Sequence, residues 1–482
     1  MENIPTHFSE EEKAHFYDLS KQLSSKLRDI EQNAKFVVWP GTDLAKRKTV
    51  FVCLYQGVML KTIHNFLGTD IYYKDEDTPS RPLNPPDTMP YDKEMNLSHE
   101  EAELIQRAIN EHGDDLFKLH TNLEAVTGSS FMLSWRKGFI HCPTVVLHCR
   151  VKGVAPIGEG PFPTMLIVGD ESTEIKVDVR EGYFRPGMYQ QSIFSPTHWH
   201  DKLRMGTSIG VKGNYQGTLG PFVKLNNNKL GFLTCAHVIL PDPRDQALLQ
   251  QCVGLEVYQP ADGETHHTLE RSRDDRYCGK VSKIVFNPQI STFRNHLSKT
   301  VGVDAAFVTV EGTREADFKS FPFITDSDLK HAGFNPPDQP MFGHGSIKYP
   351  LNFEDVKSSR VIKYGKKTGL TMGTLLLEGT MIKIQDASLP VPVAVQEKVV
   401  MKGQYIVERK GRPIFLEPGD SGAGVFVLDK KNNLSCIGLA IGFLDEFSSV
   451  VTPIEYVLDA LELELDAMKF EEDMDTYDEE TG

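Results

Sequence analysis

The sequence predicts a multidomain chain: an all-β, barrel-type C-terminal part, preceded by a small α+β domain and an N-terminal helical/α+β segment. Three observations predict it. From Gly206 to about residue 452, short apolar strands alternate with Gly, Asn and Pro turns. Upstream stand two helix signatures, each opened by a Ser-x-x-Glu capping box. Between those helices runs an acidic stretch with five prolines, which neither a helix nor a central strand accommodates.

Ser9 and Glu12 open the first helix, expected over about 10–32, where Phe16, Leu19, Leu23, Leu27 and Ile30 fall three or four apart on one stripe. That stripe has two readings: docking onto the chain's own core, or self-association as a homo-oligomer through the N-terminal region. The strand-like runs Phe36–Val38 and Thr49–Tyr55 join the helix in a small α/β unit over 1–72. Pro79, Pro82, Pro85, Pro86 and Pro90 mark residues 73–97 as a Pro-rich acidic linker. Ser98 and Glu101 cap a second helix carrying Leu104, Ile105, Ala108 and Ile109, and four strand-like runs follow, giving a small α+β domain over 98–185. The barrel part spans 205–470, with a final helix at about 453–468. Its polar stretch 242–280 reads as loop insertions. Seven of the ten residues from Glu471 to Glu480 are acidic, so 471–482 reads as a solvated, disordered tail.

With 482 residues, 40% hydrophobic and 25% charged, the chain suits a globular protein of several cores. Its net charge of −15 and lack of a Lys/Arg cluster argue against nucleic acid and anionic membranes as partners. No apolar window has the length a membrane span needs. The first residues lack the basic and apolar regions of a secretory signal. Seven cysteines, an odd number, sit mostly in apolar runs and read as reduced thiols. Cytoplasm is the expected location, with the nucleus as the alternative.

Chemistry concentrates in Glu417-Pro418-Gly419-Asp420-Ser421-Gly422-Ala423-Gly424. A serine hydroxyl is a weak nucleophile that needs a base, an exposed turn and amide donors for an oxyanion. The glycines around Ser421 permit a turn that aims the N–H groups of Gly419 and Ser421 at one point. Phe232 to Val238 is an apolar strand ending on His237, and Val301 to Val308 carries one carboxylate, Asp304. Asp326 and Asp328 are the alternative carboxylates, in a polar loop context that suits the role less well.

The order His237, Asp304, Ser421 resembles that of the trypsin/chymotrypsin-like double β-barrel peptidases. A further run, Lys363 to Leu375, has glycines four apart among threonines and is similar to the opening of the second barrel in bacterial, viral and plant members. Together with Gly217 to Val223, the chain looks most like the plant narrow-leaf family and its bacterial relatives, over about 205–455. The resemblance implies an all-β chymotrypsin-like double barrel with His237 in the first barrel and Ser421 in the second. It implies a serine endopeptidase acting on polypeptide substrates without cofactor or metal. His237 would be the base, Asp304 its orienting partner, and Gly419 and Ser421 the oxyanion donors. Phe415 would line the primary pocket, favouring small or apolar side chains, and Leu439, Ala440, Ile441 and Gly442 would form the substrate wall. Secreted relatives pair the aspartate beside the nucleophile with a new N-terminus released before an Ile-Val-Gly-Gly run. No such run precedes Gly206, so Asp420 needs an internal partner or activation differs. The alternative function is a catalytically silent fold of this type, serving as a peptide-binding or scaffold module. His198 and His200 lack a third metal ligand, and His141-Cys142 and His148-Cys149 point to opposite strand faces, so structural roles are expected for all of them.

Overall fold

Apolar runs and alternations turn about half of the described residues into strand, and the described helices are few. The computed structural model describes residues 8–463 apart from 31–34, 57–61, 76–96, 135–137, 170–172, 187–194, 214–215, 226–228, 241, 263–271, 295–296, 313, 318–323, 335–340, 348–358, 385–398, 410–412 and 429–432. Most of the Pro-rich linker and the whole acidic tail lie outside the described residues.

Helix α1 (Glu10–Ile30) begins at its capping box: Ser9 N–H donates to Glu12 Oε2 at 2.7 Å and Glu12 N–H to Ser9 Oγ at 3.2 Å. Leu23 and Leu27 are buried with Phe36, Val38, Phe51 and Cys53 of β1 (Lys35–Asp43) and β2 (Lys48–Gln56). The chain's own sheet therefore covers Leu23 and Leu27 of the apolar stripe, with Phe16 and Leu19 packed partly against it, while Ile30 stays exposed. β3 (Asn65–Phe66) and β4 (Thr69–Asp75) extend that sheet. Helix α2 (His99–Leu119) starts at the Ser98/Glu101 box and buries Ile105, Ala108, Ile109, Leu116 and Phe117. Its main strand partners are β5 (Leu123–Ser134) and β6 (Gly138–Cys149). β7 (Val154–Pro156) leaves this unit to pair with β1, joining the N-terminal sheet to the α+β segment. β8 (Met165–Val168) and β9 (Thr173–Glu181) complete the unit, and β10 (Arg185–Pro186) follows.

Two closed rings of antiparallel strands come next. After β11 (Leu203–Arg204) the first uses β12 (Ser208–Val211), β13 (Gln216–Thr218), β14 (Phe222–Lys224) and β15 (Leu230–Thr234). α3 (Ala236–Ile239), α4 (Gln246–Gln251), β16 (Glu256–Tyr258), α5 (Arg273–Arg276), β17 (Tyr277–Arg294) and β18 (Leu297–Val310) follow. The pairing order is β13-β12-β16-β17-β18-β15-β14. The ring closes through residues 219–221, where Leu219 N–H donates to Thr207 O and Gly220 N–H to Leu233 O. β16 corrects the loop reading of 242–280: this three-residue ring strand, with Val257 and Tyr258 buried, lies inside that stretch.

β19 (Ala316–Asp317), α6 (Asp326–His331) and β20 (Met341–Ile347) lead to the second ring. It uses β21 (Arg360–Gly365), β22 (Gly369–Ile384), β23 (Val399–Arg409), β24 (Gly424–Leu428), β25 (Asn433–Phe443) and β26 (Ser448–Pro453). Its order is β21-β24-β25-β26-β23-β22, and β22 returns to pair with β21. β5 pairs with β22, so the α+β segment continues the second ring's sheet. α7 (Ile454–Ala460) packs near β25. No described helix is long and apolar enough to cross a membrane.

A buried polar network joins the α+β segment to the second ring. Glu408 of β23 accepts from Ser129 Oγ at 2.6 Å, and burial pushes its carboxyl pKa up. Arg180 donates to Asp178 at 3.0 Å and lies over the Phe131 ring. His148 is fully buried, bonded to Thr127 Oγ1 at 3.0 Å with Nδ1 3.7 Å from Asp445. Burial lowers the His148 pKa from 6.5 to about 4. A depressed histidine pKa means that folding favours the neutral ring, so its contribution is complete above the unfolded value and is lost as pH falls towards the folded one. Between about pH 7.5 and about pH 5 the expected loss is about 2 kcal/mol. Urea melts at the two pH values should show wild type losing that much more than His148→Gln; equal losses would contradict the assignment.

Candidate active site

The strand β15 ends at Thr234, and Cys235 caps the one-turn helix α3 on which His237 sits. On neighbouring β18, Asp304 faces this turn. His237 Nδ1 and Asp304 Oδ2 are 2.5 Å apart, and Asp304 Oδ1 accepts from the His237 backbone N–H at 3.2 Å. Both residues are 3% exposed, so the pair is shielded from competing water. A carboxylate accepts, so Nδ1 is the donor in this contact and Nε2 is left for other partners. No described group hydrogen-bonds to His237 Nε2. Asp326 and Asp328 are elsewhere, with Asp328 closing the cap of α6 onto Thr325.

Ser421 lies in the turn before β24, pinned against the first ring. Thr218 N–H donates to Ser421 O at 2.9 Å, and Thr218 Oγ1 donates to Gly419 O at 2.8 Å. Gly217 is wedged between Val238, the residue after His237, and the Ser421 carbonyl, 2.9 Å from where a Cβ would stand. The His237–Asp304 pair and the Ser421 turn are thus carried by elements that come together where the two rings touch. Gly419 (φ +108°) and Gly422 (φ +90°) hold the turn in left-handed backbone, and a Cβ on Gly422 would also meet Thr218 O at 2.6 Å. No described group accepts from the Gly419 N–H. Ser421 Oγ donates to Ile441 O at 3.1 Å and the residue is fully buried.

Asp420 has the internal partner that the absent activation run calls for. Lys363 Nζ is 3.1 Å from Asp420 Oδ2, and both side chains are wholly inaccessible. The remaining carboxylate lone pairs accept from Lys367 N–H (2.8 Å), Thr368 N–H (3.2 Å), Thr368 Oγ1 (2.7 Å) and Glu417 N–H (3.1 Å). A Cβ at Gly365 would collide with that carboxylate. The Lys363-to-Gly369 part of the run that resembles the opening of a second barrel therefore builds the seat of the nucleophile turn. Burial pulls the Lys363 pKa below its ordinary value, opposed by the Asp420 charge. The available signal was a lysine and a threonine in one glycine-rich motif, plus an aspartate without a partner.

Phe415 lies in the second ring's own core, 1% exposed, with the Lys363 ammonium 5.6 Å from its ring centre. Its carbonyl accepts from Thr371 Oγ1 at 2.8 Å. Leu439, Ala440, Ile441 and Gly442 run along β25 beside the Ser421 turn, with Gly422 N–H donating to Ala440 O at 2.9 Å. Cys235, His237 and Asp304 offer potential metal donors within 4.8 Å of one another. Burial holds the Cys235 thiol far above its usual pKa, and it donates to Ala440 O at 3.4 Å. The histidine and aspartate already hydrogen-bond to each other. Elsewhere the carbonyls of His198 and His200 accept from Gln259 and Arg314. All seven cysteines are free thiols, and burial raises Cys53, Cys149, Cys278 and Cys436 to about 12.

No known family's profile matches the chain, and no curated protein matches it. Among solved structures it is similar to Thermobifida fusca protease A, with 15% identity, 55% of this chain and 100% of that one covered, and a TM-score of 0.31. It is also similar to Cellulomonas bogoriensis chymotrypsin (14% identity, 55% and 100% covered, TM-score 0.31) and to the Nocardiopsis protease NAPase (16%, 55% and 98%, 0.30). These are partial likenesses of shape, too low in identity and TM-score to assign an activity.

Proposed function

We propose that this protein is a serine endopeptidase of the chymotrypsin type, hydrolysing peptide bonds at Ser421. The carrying observation is the buried 2.5 Å contact of His237 Nδ1 with Asp304, which leaves Nε2 without a described partner, on a turn whose next residue, Val238, packs through Gly217 towards the Ser421 carbonyl. In this reading Ser421 attacks the carbonyl carbon, His237 Nε2 takes the hydroxyl proton, and the leaving amine receives it as the C–N bond breaks. Water then cleaves the acyl ester by the same route in reverse. Asp304 stabilises the imidazolium, and Gly419 and Ser421 N–H receive the oxyanion. Residues of β25 hold the substrate backbone. No cofactor takes part.

Asp304→Asn tests the role of the aspartate. An amide presents the wrong hydrogen-bond pattern to Nδ1 and turns the tautomer, so peptide hydrolysis should fall about 10⁴-fold with the fold intact. Measured turnover within tenfold of wild type would contradict the role. One observation favours the second reading, a silent peptide-binding fold: Ser421 Oγ donates to Ile441 O, and His237 Nε2 makes no described hydrogen bond. Catalytic hydrogen bonds often tighten only when substrate binds, so this geometry is compatible with an enzyme at rest.

A further inference from the structure

An antiparallel strand has two edges, and near Ser421 one edge of β25 changes hands. β24 follows β25 as far as Gly424 opposite Leu439, and the last backbone bonds on that side run from Gly422 N–H to Ala440 O and from Ala440 N–H to Ala423 O. Beyond Ala440 the other edge stays with β26, which pairs Val450 with Gly442 and Ser449 with Phe443. The edge that β24 vacates, at Gly442 and Phe443, is the one next to the nucleophile. Such an edge takes an extended peptide by main-chain pairing. In this structure β10 occupies it: Arg185 lies opposite Phe443 and Pro186 opposite Gly442.

The direction of β10 is that of a substrate. Passing from Arg185 to Pro186 moves from Phe443 to Gly442, towards Ile441 and the Ser421 hydroxyl that bonds to it. A strand running this way brings its C-terminal side, and hence a peptide carbonyl, to the serine. The chain leading into β10 is anchored: Gly182 N–H donates to Cys149 O at 3.0 Å, Phe184 is buried, and a Cβ on Gly182 would meet Leu444 O at 2.6 Å. The pairing itself is short. Pro186 has no N–H, so the ladder cannot continue through it as a full strand.

We propose that Arg185–Pro186 is a cis-acting occupant of the substrate edge, placed there by the α+β segment, which extended peptides must displace. The inference rests on the proteolytic reading of Ser421. Its test uses the full chain, wild type and Arg185→Pro, with two substrates. An N-acetyl amino-acid p-nitrophenyl ester needs only the nucleophile, whereas a tetrapeptide p-nitroanilide also needs the edge at Gly442 and Phe443. Removing the Arg185 N–H should lower KM for the tetrapeptide about tenfold, leaving its kcat and the ester's kinetics unchanged. An unchanged KM, or equal changes for both substrates, would overturn the inference while ester hydrolysis upholds the enzyme. Absence of ester hydrolysis and of fluorophosphonate labelling in both proteins would instead sink the proteolytic reading, and this inference with it. Wild type supplies a second readout that does not depend on the variant folding. Saturation with a tetrapeptide boronic acid should speed amide hydrogen exchange across 183–186 about tenfold, and unchanged exchange with Ser421 fully modified would also refute the occupant.

Discussion

Ser421→Ala is expected to abolish peptide hydrolysis by about five to six orders of magnitude, with little change in substrate binding. Alanine removes only the hydroxyl, which donates to Ile441 O, so the turn held by Thr218 and Asp420 should persist. His237→Ala should cost nearly as much, because without the base the hydroxyl is a poor nucleophile at neutral pH. The double variant should be no worse than the worse single one, since the two groups act in one step. Single-turnover assays on all three proteins check this; additive losses would mean that serine and histidine act independently.

Lys363→Met is expected to destabilise the protein by about 3–5 kcal/mol and to cut Ser421 reactivity at least about a hundredfold. Methionine replaces the stem over Phe415 but leaves the Asp420 carboxylate buried without its cation. The four remaining donors to Asp420 are backbone N–H groups and one hydroxyl, which do not neutralise the charge. Repulsion from the low-dielectric surroundings then falls on the residue adjoining the nucleophile. Adding Asp420→Asn should restore most of the lost stability, since removing both charges also removes the burial penalty. Denaturant melts of the single and double variants distinguish this from a packing defect, in which the second substitution would recover nothing.

Residues that carry their own local signal were legible in the sequence. His237 at the end of an apolar strand, Asp304 within one, and Ser421 between glycines are each visible in a few residues, and the structure brings their elements to one junction. The capping boxes at Ser9 and Ser98 are local too, and their bonds form as spaced. What escaped depends on partners distant in the chain. The match of Lys363 with Asp420 is set by β21 lying beside β24, which neither motif states alone. β16 and β10 have three and two residues, too few for a period to show, and owe their strand character to neighbours. The apolar stripe of α1 could not tell its own sheet from a second chain, because both present the same chemistry. The joining of β5 to β22 likewise follows from tertiary pairing, not from any local run.

The central claim is that His237 makes Ser421 a nucleophile. The most direct measurement is the rate at which a fluorophosphonate probe labels the purified full-length protein, read by intact mass and by the site of the adduct. Wild type should acquire one adduct, on Ser421, at a rate that falls about a thousandfold or more in His237→Ala and to nothing in Ser421→Ala. A folded wild type that stays unlabelled, or labels equally with and without His237, would contradict the account and favour a silent peptide-binding fold.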